Sequence, residues 1–259
     1  MTGKIITRTM GIVLRSLDYG ESDRIVAFLT ADSGKITGIA KGARKSRIRF
    51  ANTLEPFSLL DLNLTRRKGA RISLLEEAAI IDHHAGIRSD LGKTLTAAYF
   101  VELVDQFLLE GKRNPEIFEL TRDYLFLLDR EKFSEHLTRF FELRFLRLAG
   151  YEPMLDCCVV CRQPLKSDIP YFFSPSHGGI RCRTCAESHG NGDGFPVSVG
   201  TIRTLLLGKD ADSPFLQRIC MSDQCARESQ HLLSRFIRYL LGKDLKSLHV
   251  LNDVRRLGL

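Results

Sequence analysis

Five of the seven cysteines fall in two short stretches, "LDCCVVC" at 155–161 and "GGIRCRTC" at 178–185. Cys158, Cys161, Cys182 and Cys185 have the spacing C-x2-C-x20-C-x2-C. Each Cys-x-x-Cys pair can turn two thiolates toward one centre, and two such pairs supply the closed tetrahedral sulfur shell of structural zinc. Four thiolates leave no position for water. The expected role of one zinc ion is therefore structural, stabilising a small ribbon with too little apolar surface for its own core. A redox pair, a disulfide or plain buried thiols also fit cysteines this close together. Cys157 adjoins a ligand and breaks the spacing, so it is read as spare. His177 and His189 are near enough to replace a ligand but are read as surface polar groups, and Cys220 and Cys225 as ordinary helix or loop residues.

A second chemistry lies in the charge. Residues 1–80 hold 14 Lys or Arg against 8 Asp or Glu, a net of +6, while residues 81–259 hold 24 against 23, so nearly all of the net +7 sits in the first third. It is concentrated in "KGARKSRIRF" (41–50), with Lys41, Arg44, Lys45, Arg47 and Arg49, and in "TRRKGAR" (65–71), with Arg66, Arg67, Lys68 and Arg71. Only Glu55 and Asp61 oppose them between 41 and 71. One such run alone is compatible with a solvated face. Two runs in one small region point to a polyanion, bound through phosphate contacts and counterion release. Phe50 and Phe57 fit a core as well as a stacking platform, so binding is expected to be mainly electrostatic and weakly sequence-selective.

Other motifs are missing. "GIRSDLGKT" at 86–94 approaches a phosphate loop, but Gly86 precedes Gly92 by six positions where the motif requires five. The sequence carries no G-x-S-x-G, no H-E-x-x-H and no nuclease-type carboxylate cluster, and His83 and His84 lack ligand partners at useful spacing. The chain is expected not to be an enzyme. The N-terminal residues show no apolar stretch of signal-peptide length, and Glu102 and Asp105 interrupt "TAAYFVELVDQFLLE", the nearest approach to a membrane span. A cytoplasmic protein with no membrane partner is the expectation.

The elements that must position these groups change character along the chain. Short apolar runs from 7 to about 78 ("TRTMGIVLR", "RIVAFLT", "GKITGIA", "FSLLDLNLT", "ARISLLEEA") read as five strands, with "ADSGK" as a tight turn in which Gly34 takes positive φ. Five strands in that length fit an OB-fold or an SH3-like barrel. Helical periodicity follows: "KTLTAAYFVELVDQFLLEG" with a stripe of Leu95, Ala98, Val101, Leu103, Val104 and Leu108, ended by Gly111; "NPEIFELTRDYLFLLD" capped by Asn114 with Pro115 at its first position; and "EKFSEHLTRFFELRFLRLAG" closed at Gly150. After the cysteine segment, "SVGTIRTLLLG" and "SDQCARESQHLLSRFIRYLLG" resume helices, each ending at glycine. The predicted architecture is an α+β multidomain chain: a basic barrel over 1–80, then a helical domain over 81–259 with a four-cysteine zinc ribbon inserted at about 153–196.

Taken in order, "YGESDRIVAFLTADSGKITGIAKGARKSR", "LEPFSLLDLNL", "AAYFVELVDQFLLEG", "FFELRFLRLAGYEPMLDCCVVC" and "GGIRCRTC" closely resemble the RecO family across nearly the whole chain. The resemblance implies an N-terminal five-stranded OB-fold, a helical C-terminal domain with an embedded zinc ribbon, and a non-enzymatic mediator of the RecFOR pathway. Such a mediator binds single- and double-stranded DNA, anneals complementary strands, and with RecR helps load RecA onto SSB-coated DNA. It is expected in the cytoplasm, at the nucleoid. Carried over by motif, the DNA role falls on Lys41, Arg44, Lys45 and Arg47, and the metal role on Cys158, Cys161, Cys182 and Cys185; Arg49, Arg66, Arg67, Lys68 and Arg71 are added on charge alone. An apolar pocket with a basic rim is implied for the acidic, phenylalanine-ended SSB tail. Arg139, Arg144 and Arg147 around "FFELRFLR" offer such a rim, although the same apolar positions fit a core. Arg162 departs from the family pattern, standing where many relatives have glycine.

Overall fold

The computed structural model describes residues 4–46, 48–70, 72–131, 135–188, 192–211 and 219–256. Five strands open the chain: β1 (Lys4–Tyr19), β2 (Asp23–Thr30), β3 (Gly34–Ala40), β4 (Leu59–Arg67) and β5 (Ser73–Asp82). They close into a barrel in the order β1-β2-β3-β5-β4. All neighbours are antiparallel except β3 and β5, joined by a short parallel pairing of Gly38 with Ser73 and Ile39 with Leu74. Alternation drives Val13, Val26, Phe28, Leu60, Leu62, Leu64 and Leu75 inward as the barrel core. β1 is much longer than the run that announced it. Its first half pairs with β4 and its second with β2, and a register shift between Val13 and Arg15 bends the strand from one partner to the other. The turn before β3 is as expected, with Gly34 at φ +67°.

The compact units are not divided at residue 80. One comprises residues 1–132 together with 245–259, so the barrel shares its unit with α1 (Ala85–Arg88), α2 (Leu91–Phe107), α3 (Pro115–Arg130) and the last helix, α8 (Lys246–Arg256). Helix α2 is buried on several sides, including Ala97, Tyr99, Phe100, Val101 and Val104, and does not present the single stripe expected of it. The reason is that it packs on β1, α1, α3 and α8 together. Its acidic residues are structural. Asp105, buried, forms an ion pair with Lys35 Nζ at 2.8 Å, and Glu102 accepts from the backbone N–H groups of Lys246 (3.1 Å) and Ser247 (2.8 Å), capping α8. Gly111 does not end α2, which stops at Phe107; its N–H donates to Lys35 O at 2.8 Å and ties the α2–α3 loop to β3. Asn114 and Pro115 begin α3 as expected. In the would-be phosphate loop, Gly86 is in α1 against the backbone of Asp129, and Asp90 caps α2 through Lys93 N–H at 2.9 Å.

Residues 133–244 form the second unit, with α4 (Glu135–Leu148), β6 (Tyr171–Ser174), β7 (Gly179–Cys182), α5 (Arg183–Ser188), β8 (Phe195–Val197), α6 (Val199–Asp210) and α7 (Asp223–Leu241). Gly242 closes α7 at φ +68°, as the sequence suggests. Gly208 does not end α6. It lies inside the helix where an added Cβ would overlap the Phe140 ring, so its role is to let α6 approach α4. The apolar positions of "FFELRFLR" are core: Phe140, Phe141, Leu143, Phe145 and Leu146 are fully buried. Its arginines are engaged within the unit, Arg139 with buried Glu142 at 3.0 Å, Arg144 with Gly208 O at 3.0 Å, and Arg147 with Asp210 at 2.6 Å. Among the described residues this helix therefore offers no free basic rim.

Candidate metal centre and nucleic-acid interface

Two hairpin-like turns bring the cysteines together. In the first, Cys158 N–H donates to Gln163 O and Arg162 N–H to Cys158 O, both at 2.9 Å, curling the chain around Cys158 and Cys161. Arg162 sits at φ +61°, a left-handed conformation that glycine enters freely, which explains why glycine suits this position. In the second, Cys182 ends β7 and Cys185 lies in the first turn of α5. The turns meet because β7 runs close beneath the first: Val159 N–H donates to Ile180 O at 2.9 Å, and Cys182 N–H donates to Cys158 Sγ at 3.4 Å. A Cβ at Gly179 would lie 2.5 Å from Met154 O, so only glycine permits that approach.

All four sulfurs lie within 4.8 Å of one another, and Cys161 Sγ is 3.8 Å from Cys182 Sγ. A regular tetrahedral ion with sulfur ligands at about 2.3 Å separates those sulfurs by about 3.8 Å, so the arrangement fits a four-thiolate ion. It does not fit a disulfide, whose sulfurs bond at about 2.05 Å, and all seven cysteines are free thiols. The acidities express crowding. Burial opposes the Cys158 thiolate, but N–H groups of Cys161, Cys182 and Val160 outweigh it and bring its pKa to about 6. Burial and the neighbouring thiols push Cys185 up to about 12, and burial raises Cys182 as well. One negative charge thus repels the next until a cation neutralises them. Cys161 is the exposed member of the set. Cys157, Cys220 and Cys225 stand outside it; His177 hydrogen-bonds Ser174 Oγ at 2.9 Å through Nδ1, and His189 lies outside the described residues.

The described bases of the first run follow β3, in a segment that is pegged. Ala43, Phe50 and Leu54 enter the barrel core, Phe57 is buried as well, and Asp23 accepts from Gly42 N–H at 2.8 Å. The aromatic residues are thus interior and the cations exterior. Lys41, Arg44, Lys45 and Arg49 are exposed or partly exposed. Arg44 is committed, to Asp18 at 3.1 Å and to Gly20 O at 2.8 Å. Arg49 donates to Lys41 O at 2.5 Å and lies over the Phe50 ring, lining a groove of about 460 Å³ with Arg8, Ile48 and Asp61. Arg8 and Asp61 pair there at 2.6 Å. No described carboxylate forms an ion pair with Lys41 or Lys45.

The second run follows β4, which β5 separates from β3 in the barrel. Arg66 lines a groove with Lys35 and Ile36, and the pairings of Thr65 with Leu74 and of Gly38 with Ser73 set it level with Gly38, three residues or roughly 10 Å of strand from Lys41. Arg66 and Arg67 end β4, Lys68 follows, and all three are exposed without a described ion-pair partner. Strand alternation puts Arg67 with Thr65 and Asn63 on the outer face, while Arg66 continues the row of Leu62 and Leu64 to the barrel mouth. Arg47 and Arg71 lie outside the described residues. Sequence reasoning missed Arg8 and Arg113, which line these grooves; neither is in a basic run, and only strand register and the α2–α3 loop bring them there.

Family models match nearly the whole chain: Recombination protein O N terminal over residues 1–84 and Recombination protein O C terminal over residues 88–249. The chain belongs to the RecO family. A protein named DNA repair protein RecO from Syntrophus aciditrophicus (strain SB) is 46% identical over 259 residues, covering 100% of both chains. Namesakes from Geobacter metallireducens (38% over 248 residues, 96% of this chain and 98% of the relative) and Anaeromyxobacter sp. strain K (35% over 244 residues, 94% and 95%) are also similar. The RecO division between N- and C-terminal models at 84–88 falls near the junction expected at 80, whereas the compact units of the structure divide elsewhere. Among the described residues, no helix is long and apolar enough to cross a membrane.

Proposed function

We propose that this chain is a recombination mediator of the RecFOR pathway. In this reading it binds single- and double-stranded DNA through the barrel, anneals complementary strands, and acts with RecR to load RecA onto DNA coated by SSB, in the cytoplasm at the nucleoid. The strand order, with its short parallel closure, supports reading the barrel as an OB-fold. The four-cysteine cluster supports one structural zinc ion. A closed sulfur shell supplies no substrate position, which supports a non-enzymatic role.

One observation carries the proposal beyond family membership: a turn held by buried Ala43, Phe50 and Leu54 presents Lys41 and Lys45 to solvent outside any described ion pair, with Asp23 near enough to Lys41 to feel its charge. Two strands approaching each other are opposed by phosphate repulsion, and uncommitted cations on a fixed surface lower that barrier without reading sequence. Base pairing then drives annealing, and no nucleotide hydrolysis is needed. The test is annealing of SSB-coated complementary oligonucleotides at low salt without ATP. Acceleration over SSB alone is expected; none would overturn the proposal.

A further inference from the structure

We infer that Cys161 is a modification site: a hydroperoxide oxidises its thiolate, and the product closes on Cys182 to a disulfide that takes over the metal ion's place as the link between the two turns. The inference rests on the four-sulfur metal site described above. Exposure separates Cys161 from its partners. Cys158 and Cys182 are buried and Cys185 is partly buried, whereas Cys161 is exposed. It sits in a surface turn, with Val160 37% exposed on one side and Arg162 and Gln163 exposed on the other. A sulfur in a metal shell is already a thiolate, the nucleophilic form. A hydroperoxide must meet that sulfur along its own O–O axis, so the thiolate open to solvent is the one attacked.

Backbone contacts that involve no thiol hold the second sulfur in reach. Met154 N–H donates to Gly178 O at 2.9 Å, Ile180 N–H to Met154 O at 3.0 Å and Val159 N–H to Ile180 O at 2.9 Å, so the first turn stays on β7. Cys182 Sγ then lies 3.8 Å from Cys161 Sγ. Cys158 is the worse partner, because its backbone is bound to Gln163 and Arg162 and its sulfur accepts the Cys182 N–H. In the first step the Cys161 thiolate takes the terminal hydroxyl of the hydroperoxide. The O–O bond breaks, the alkoxide or hydroxide released takes a proton from water, and a sulfenic acid remains. In the second step the Cys182 thiolate attacks that sulfur, the S–S bond forms and hydroxide leaves. Two thiolates together lose two electrons, and the O–O bond receives them. The sulfurs contract from 3.8 Å to about 2.05 Å, a movement the exposed turn can supply. Loss of two of its four ligands releases the ion, while the disulfide spans the same two turns and keeps the ribbon closed.

The test uses the full zinc-loaded chain and hydrogen peroxide, with zinc release read by a chromogenic chelator and disulfides mapped by mass spectrometry of a digest. One equivalent of zinc should be lost as a peptide pair linked through Cys161 and Cys182 appears, and dithiothreitol with zinc should restore the loaded state. With dimedone present, the adduct among the four ligands should fall on Cys161. Cys157→Ser should release zinc at the wild-type rate with the same pairing, since that thiol takes no part. Limited proteolysis within 156–186 should stay as slow in the oxidised chain as in the loaded one, and quicken in the reduced chain stripped by chelator. Linkage within one Cys-x-x-Cys pair, a dimedone adduct on Cys158, Cys182 or Cys185 alone, slowed release in Cys157→Ser, or rapid cleavage of the oxidised chain each overturns the inference. Zinc retained while exposed Cys220 is fully oxidised overturns it too, and leaves the metal site standing. A wild-type chain that never holds zinc defeats the metal reading and this inference with it.

Discussion

Replacing one cysteine at a time separates a built four-sulfur centre from thiols that merely lie close. Structural zinc in small peptides binds with about 10–16 kcal/mol, so an even division over four ligands gives roughly 2.5–4 kcal/mol for each. Loss of one ligand should then weaken ion binding roughly a hundred- to a thousand-fold. Cys158 is the sharpest position, because it is fully buried and its sulfur also accepts the N–H of Cys182. Cys158→Ser should leave the purified chain without its ion after dialysis against a weak chelator. Cys157→Ser, one residue away but outside the cluster, should retain one equivalent. Metal content by mass spectrometry reads both, and X-ray absorption of the wild type should show four sulfur neighbours at about 2.3 Å. Loss of the ion in Cys157→Ser, or an oxygen or nitrogen neighbour in the wild type, would refute the assignment of Cys158, Cys161, Cys182 and Cys185 as the complete shell.

Three further outcomes are expected. Lys41→Ala with Lys45→Ala should flatten the salt dependence of single-strand binding by about 1.4 in slope, whereas Arg44→Ala, already neutralised by Asp18, should flatten it by less than about 0.7; equal slopes would mean that commitment to Asp18 is irrelevant. Gly208→Ala removes a helical glycine, which elsewhere gains about 1 kcal/mol, but here drives a methyl into Phe140, and overpacking costs about 1–3 kcal/mol; urea unfolding should show net loss, and a stabilised variant would contradict the α4–α6 contact. Burial holds the His84 imidazole below its usual pKa despite Asp82 and Asp129, so the unfolded chain takes up a proton that the folded chain refuses. Stability should be intact above about pH 6.5 and fall as the pH drops below it. His84→Asn, which tolerates the φ of +54°, should reduce that fall, as read by thermal melts between pH 5 and 8.

What the sequence discloses depends on how local the cause is. The cysteine spacing fixes the metal cluster because each pair forms its own turn, and only the meeting of the two turns depends on Gly179 and β7. Strands β2, β3 and β4 are legible from alternation and from the glycine turn at 34. The length of β1 is not, since it arises from a change of partner between β4 and β2. Helix α8 escapes notice because its sequence is polar; its stability comes from Leu251 against the rest of the unit and from Glu102 at its first turn. Glycines mislead in a particular way. Gly150 and Gly242 carry positive φ at helix ends, but Gly208 has the same sequence signature and serves a close contact, which no local rule separates. The basic runs are visible, while their placement on strands separated by β5 and the commitment of Arg44 to Asp18 follow from tertiary pairing alone.

That separation bears on how a strand would be held. If Lys41 and Lys45 met Arg66 on one rim, a few adjacent phosphates would satisfy all of them. With roughly 10 Å of β3 between Gly38, level with Arg66, and Lys41, a single strand that reached both groups would extend along the barrel. An extended strand keeps its bases apart and accessible, which is the state a complementary strand requires. The buried positions of Phe50 and Phe57 matter for the same reason: neither offers a stacking face at the pegged turn, so in the proposed reading the bases would stay free of them while the backbone is held. Holding phosphates and leaving bases unbound is what distinguishes a surface that promotes annealing from one that sequesters a strand, and it makes salt, rather than sequence, the variable that should control activity.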